Sequence, residues 1–179
     1  MRIIGGAWRK SVISFPVTEG LRPTPDRVRE TVFNWLGQDL GGLNCLDLFA
    51  GSGAFGIEAA SRGASRVVLV EKSREAAAAL RANTERLGGV GRVELRQADA
   101  LQFAALCAER FDVIFVDPPY GQGWLARLAP LLSRLAAPRA RLYIEAEAPV
   151  IALDEWRATR SGTAGQVHYQ LLEREEASC

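Results

Sequence analysis

The chain has few of the residues that build metal and redox sites. Its 179 residues include only three cysteines, Cys45, Cys107 and Cys179, and a single histidine, His168. Thiols so few and so scattered form neither a disulfide framework nor a zinc site of known spacing, so no metal is expected. Long apolar runs are missing too. No stretch approaches the ~20 residues of a membrane span, and Met1-Arg2-Ile3-Ile4-Gly5-Gly6 does not read as a signal peptide. No membrane association is expected, and a cytoplasmic location follows by default. Bulk charge is near zero, +1 from 22 basic and 21 acidic side chains, so overall basicity gives no argument for nucleic acid. Internal repeats and low-complexity linkers are absent as well.

What is present suits one globular domain with a sizeable core: 48% hydrophobic and 24% charged residues. The first twenty or so residues read as a short β-hairpin or extended arm, with Ile3-Ile4, a Gly5-Gly6 break, and Val12-Ile13-Ser14-Phe15 stopped by Pro16. Arg2, Arg9, Lys10, Arg22, Arg27 and Arg29 crowd this region against Glu19, Asp26 and Glu30, which makes a local basic face. Thr24-Pro25-Asp26 then opens a helix, with Thr24 as N-cap and Pro25 at its first position. Val28, Val32, Phe33, Trp35 and Leu36 share its apolar stripe.

From Cys45 onward strands and helices alternate. Strands are expected at Cys45–Phe49, Val67–Val70, Val93–Leu95, Phe111–Val116 and Arg141–Ile144, with two more near Trp156–Arg160 and Val167–Leu172. Helices fill the gaps, around Ile57–Arg62, from a Ser73 cap to about Leu87, over Leu101–Ala108 and over Trp124–Leu135. This pattern implies an α/β fold, a doubly wound, mostly parallel seven-stranded sheet covered on both faces.

The fourth strand ends in Asp117-Pro118-Pro119-Tyr120. Proline has no N–H to give a ladder, so the chain must turn out there, at the carboxyl edge where open α/β sheets bind ligands. A carboxylate, a backbone carbonyl and an aromatic face then converge. They suit a planar ring bearing an exocyclic amine; the plain alternative is a tight turn. Gly51-Ser52-Gly53-Ala54-Phe55-Gly56 follows the first strand and opens a helix, and Glu71 stands at the end of the second. Together they would serve a nicotinamide cofactor or any other adenosine cofactor, the glycines admitting it and the acid accepting from its ribose. Asp47, just before the turn, would oppose a pyrophosphate but favour an amine or sulfonium cation. Asp99, after the third strand, can accept from an adenine amine or cap a helix. Acids at four strand ends describe S-adenosylmethionine better than a dinucleotide.

Asp47-Leu48-Phe49-Ala50-Gly51-Ser52-Gly53, Val70-Glu71-Lys72 and Asp117-Pro118-Pro119-Tyr120 resemble the motifs of class I methyltransferases. Arg2-Ile3-Ile4-Gly5-Gly6-Ala7-Trp8-Arg9, the segment from Leu21-Arg22-Pro23-Thr24 to Asn34-Trp35-Leu36, and Ala164-Gly165-Gln166-Val167 are more specific. They resemble the RsmD family of 16S ribosomal RNA guanine-N2 methyltransferases over nearly the whole chain. That resemblance implies a Rossmann-like methyltransferase domain over residues 23–179, preceded by an RNA-contacting arm over 1–22. It implies Asp117, Pro118, Pro119 and Tyr120 as the catalytic element. Asp47, Phe49, Ala50, Gly51, Ser52, Gly53, Glu71, Lys72, Asp99 and Ala100 would hold S-adenosylmethionine, which leaves as S-adenosylhomocysteine. Arg2, Arg9, Lys10, Arg22, Arg27 and Arg29 would contact 16S RNA, within the small subunit or its assembly intermediate. Nothing in the sequence asks for more than a monomer. Two departures concern the RNA grip: Arg9-Lys10-Ser11-Val12-Ile13 is less basic than usual in the family, and Thr163 stands where a lysine is common. An adenine-N6 methyltransferase, a nicotinamide oxidoreductase and a non-enzymatic RNA-binding assembly factor are the competing readings.

Overall fold

The computed structural model describes residues 1–16 and 24–174. In chain order the elements are α1 (Asp26–Leu36), β1 (Asn44–Asp47), α2 (Gly56–Ser61), β2 (Arg66–Glu71), α3 (Arg74–Arg86), β3 (Val93–Gln97) and α4 (Ala100–Leu106). They continue with β4 (Phe111–Val116), α5 (Trp124–Leu135), β5 (Ala136–Ala146), β6 (Ala152–Leu153), β7 (Trp156–Ala164) and β8 (Val167–Arg174). One sheet holds all the strands in the order β3-β2-β1-β4-β5-β8-β7-β6. The first five strands run parallel, and β8 closes antiparallel on β5, with β7 and β6 extending that edge as antiparallel neighbours. The seven expected strands are all found. The eighth, β6, is a two-residue edge pairing too short to leave a sequence signal.

The inner strands are apolar at nearly every position because helices cover both faces of the sheet. On one face α1, α2 and α3 pack with Phe33, Phe55, Phe115 and Tyr143 at the centre. On the other, Ala100 and Ala104 of α4 and Leu128, Leu132 and Leu135 of α5 cover Leu46, Val68 and Ile114. Strand order reverses between β1 and β4, which opens a crevice at their carboxyl ends.

The N-terminal arm docks on the helical face that holds α1. A single bridge, Arg2 to Val12, makes its hairpin, and Ile3 and Ile13 are fully buried in the core. Its turn fits only because residue 6 is glycine: φ is 76°, and a Cβ there would sit 1.9 Å from the Ser61 carbonyl. Glu58 of α2 is the anchor. It accepts from the Ile4 and Gly5 N–H groups at 2.9 and 2.8 Å, from Arg29 at 3.2 Å and from Arg62 at 2.9 Å. Asn83 of α3 pairs with the Ser14 backbone in both directions.

At the start of α1 the expected cap is corrected. Pro25 occupies the N-cap position with no side-chain cap, while the Thr24 side chain lies beside Glu145, near the end of β5, and lines the same cavity.

Candidate active site

A cavity of about 940 Å³ lies at the β1/β4 crevice. That volume is at the upper end of small-molecule sites, enough for a nucleoside cofactor and part of a second reactant. Loops after β1, β2 and β3 form one half, through Phe49 to Ser52, Glu71 and Lys72, and Ala98 to Ala100. Asp117 to Tyr120, Glu145, Thr24 and the β7–β8 turn from Ala164 to Val167 form the other.

In the first half the backbone is set by acids. The Glu71 carboxylate accepts the Gly51 N–H at 2.8 Å and the Ser73 N–H at 2.7 Å. Gly51 is left-handed, with φ 50°, and carries the chain across the cavity wall. Gly53 is a correction. It does not line the cavity, because its α-carbon turns inward, where a Cβ would meet Ile57 at 2.5 Å and Leu80 at 2.8 Å. Its smallness serves helix packing, not approach of a ligand. Asp47 is buried, 2% exposed, and accepts the Gly56 N–H at 3.0 Å. Burial pushes its carboxyl up to about 7, against the opposing pull of the Gly56 and Phe49 N–H groups and with a further rise from Glu71. A group so poised is readily ionised by an approaching cation.

Of the two roles foreseen for Asp99, the structure shows the helix cap. One oxygen caps α4 by accepting from Leu101 and Gln102, and the other faces Lys72 at 3.4 Å. Burial opposes ionisation, but the Gln102 and Leu101 N–H groups and the Lys72 ammonium outweigh it and hold the carboxyl below its usual range. Phe49 is braced edge-on against Trp124, centroids 5.2 Å apart, and both rings line the cavity.

In the second half, Asp117 follows the end of β4 beside Glu145, the next-to-last residue of β5. Burial first, then the Glu145 and Asp47 carboxylates, push Asp117 well above the usual carboxylate range. Tyr120 keeps 47% of its surface exposed at the rim, a free aromatic face. Burial and then the neighbouring acids push its hydroxyl up to about 12. Three carboxylates converge here, yet the described residues contain no group of acids, histidines and cysteines arranged to hold a metal ion.

Of the expected RNA contacts, Arg2, Arg9, Lys10 and Arg27 are exposed and Arg22 lies outside the described residues. Arg29 is a correction: it is 0% exposed, bound to Glu58, to Asp26 at 2.6 Å and to the Arg2 carbonyl at 2.8 Å. It holds the arm to the domain. The sequence carried a signal, since Arg29 is four residues before the buried Phe33 on the same stripe. Trp8 packs against Gly89, and Trp35 stacks on Tyr169 with centroids 5.5 Å apart. Glu58 and Glu145 were not singled out from sequence. Glu145 was findable by the rule that picked Asp117, an acid ending an apolar strand.

The order of the sheet, the glycine turn answered by an acid at the next strand end, and the Asp-Pro-Pro-Tyr turn across one crevice define a class I methyltransferase. The residues of the first half fit S-adenosylmethionine, a cation with a nucleoside: Asp47, Glu71 and Asp99 stand at or just past the ends of three neighbouring strands, in a wall without basic side chains except Lys72. The family described as conserved hypothetical protein 95 matches residues 1–173. The ribosomal RNA small subunit methyltransferase D of Escherichia coli strain K12 is 40% identical over 98% of this chain and 90% of its own length. Its Haemophilus influenzae namesake is 36% identical over 97% and 93%. A solved structure of a putative methyltransferase from Escherichia coli superposes with a TM-score of 0.87 at 40% identity over 98% of both chains. The chain belongs to the RsmD family.

Proposed function

We propose that this protein transfers a methyl group from S-adenosylmethionine to the exocyclic N2 of one guanine in 16S ribosomal RNA, within the small subunit or its assembly intermediate. The observation that carries this reading is the placement of Asp117–Tyr120 across a single cavity from the Gly51–Glu71 turn. The names of the relatives supply the substrate class, and the arm motifs supply the base. A nicotinamide cofactor is disfavoured by Asp47, whose carboxylate would meet a pyrophosphate in a buried setting. Such an enzyme would work in the cytoplasm and would need no metal.

S-adenosylmethionine, when bound, supplies the methyl as an electrophilic carbon on a sulfonium. Asp47, Glu71 and Asp99 would hold it, with Phe49 to Ser52, Lys72 and Ala100 as the walls. The guanine amine is a poor nucleophile because its lone pair is delocalised into the ring. Asp117 and the Pro118 carbonyl would accept its two N–H groups and favour pyramidal nitrogen as positive charge develops. Once the N–C bond has formed, the Asp117 carboxylate would accept the proton that nitrogen gives up. Tyr120 would stack on the base, worth about 1–3 kcal/mol, against a few kcal/mol for splaying it out of structured RNA. Pro119 stiffens the turn between these groups. Arg2, Arg9, Lys10 and Arg27 would meet RNA phosphates.

The Asp117→Ala variant tests the assignment. Turnover should be lost while affinity for S-adenosylmethionine stays within about severalfold of wild type, because the side chain acts on the other reactant. Normal methylation by the folded variant would remove Asp117 from its role.

A further inference from the structure

Glu145 lies in the acceptor half of the cavity, 6% exposed, with no role in the chemistry above. The parallel ladder between β4 and β5 runs to Val116 and Ile144, so Asp117, just past β4, stands beside Glu145, which stays in the sheet opposite Tyr169 of β8. Adjacent strands lie about 4.8 Å apart, so side chains from these two neighbouring positions can converge on adjacent donors of one base edge. The buried Tyr143 hydroxyl orients Glu145, donating at 2.7 Å, and the Thr24 side chain lies beside it. A carboxylate has about four acceptor positions, so these neighbours leave room for an incoming N–H. Among the described residues neither Asp117 nor Glu145 has an ion-pair partner. Two acids held together in a cleft without a cation either share a proton or take donors from elsewhere.

We infer that Glu145 reads the ring N1–H of the target base, making the Asp117–Glu145 pair a donor–donor reader that selects guanine against adenine-type bases. This rests on the proposed function and deepens it. Guanine presents N1–H beside its N2 amine, so each carboxylate finds a donor. Adenine presents a bare N1 acceptor beside its amine, which would face the Glu145 carboxylate lone pair to lone pair. A site built for a donor rejects its absence strongly, because the buried acceptor is left unpaired. Asp-Pro-Pro-Tyr alone serves either base; the second acid at the next strand end supplies the choice.

The test uses small-subunit particles reconstituted with RNA carrying guanine or 2-aminopurine at the modified position. 2-Aminopurine keeps the N2 amine but turns N1 into an acceptor. Wild type should favour guanine in kcat/KM by about tenfold to a hundredfold or more. Glu145→Gln, whose amide can donate to N1, should shrink that preference at least about tenfold, with cofactor affinity by calorimetry unchanged. A merely structural Glu145 would lower both rates together, and an unaltered preference overturns the inference. Should Glu145→Gln not fold, Glu145→Asp carries the test: turnover on guanine should drop at least about tenfold with cofactor affinity intact, and wild-type turnover would overturn the assignment. Wild type that methylates neither base sinks the proposed function itself, which is a separate outcome.

Discussion

The Gly51 N–H donates to the Glu71 carboxylate at 2.8 Å, joining two residues twenty positions apart across the ends of β1 and β2. With the Ser73 N–H on its other oxygen, Glu71 is fixed before any cofactor arrives. A carboxylate held this way need not be ordered on binding, which is where preorganised sites gain affinity.

Glu71→Gln breaks that arrangement, because its amide nitrogen must face one of the two N–H groups. Affinity for S-adenosylmethionine should fall about tenfold to a hundredfold, measured by calorimetry, while the fold survives. Unchanged affinity would show that Glu71 only shapes the loop.

Asp47 makes stability and binding respond to pH in opposite directions. Its folded carboxyl titrates at about 7 against an ordinary 3.8, raised chiefly by burial. A raised value means its contribution is fully present below 3.8 and lost as pH climbs through about 7. Asp47→Asn, which keeps an oxygen for the Gly56 N–H, should therefore gain on wild type as pH rises across that window, by an amount on the order of a few kcal/mol at the top. Urea unfolding of the free proteins at a series of pH values measures this. A cationic ligand prefers the ionised form, so wild-type affinity for S-adenosylmethionine should rise with pH over the same window and that of the variant should stay flat.

The arm depends on a buried charge cluster. Removing the Glu58 charge with Glu58→Gln leaves Arg62 without its buried acid and Arg29 with only the exposed Asp26, and it weakens the bonds to Ile4 and Gly5. Loss of about 3–5 kcal/mol is expected, with faster hydrogen exchange at those two amides. An arm whose amides stay protected in the variant would need another anchor.

Arg9 and Lys10 are exposed on the arm and suited to phosphate contacts. Replacing both with alanine should flatten the salt dependence of particle binding by about one unit of slope for each phosphate no longer neutralised. Equal slopes would place the RNA grip elsewhere.

The fold was legible because strand and helix periodicities alternate cleanly after Cys45, and because Asp117-Pro118 must end a strand. What stayed hidden were side chains whose partners lie far along the chain. Arg29 looked like surface charge until Glu58, twenty-nine residues on, claimed it. Thr24 reads as a helix cap in isolation, but Pro25 takes the cap position and Thr24 sits beside Glu145 of β5 on the cavity wall. Gly53 fits a cofactor motif by spacing, yet Ile57 and Leu80 occupy the space its side chain would need. Local sequence governs backbone choices; it cannot weigh a local partner against a distant one.

The most direct test is transfer of tritiated methyl from S-adenosylmethionine to small-subunit particles that lack the modification, followed by digestion to nucleosides. Label should appear in N2-methylguanosine at one site and disappear with Asp117→Ala. Label in N6-methyladenosine, or no transfer by an enzyme that binds the cofactor, would contradict the proposed function.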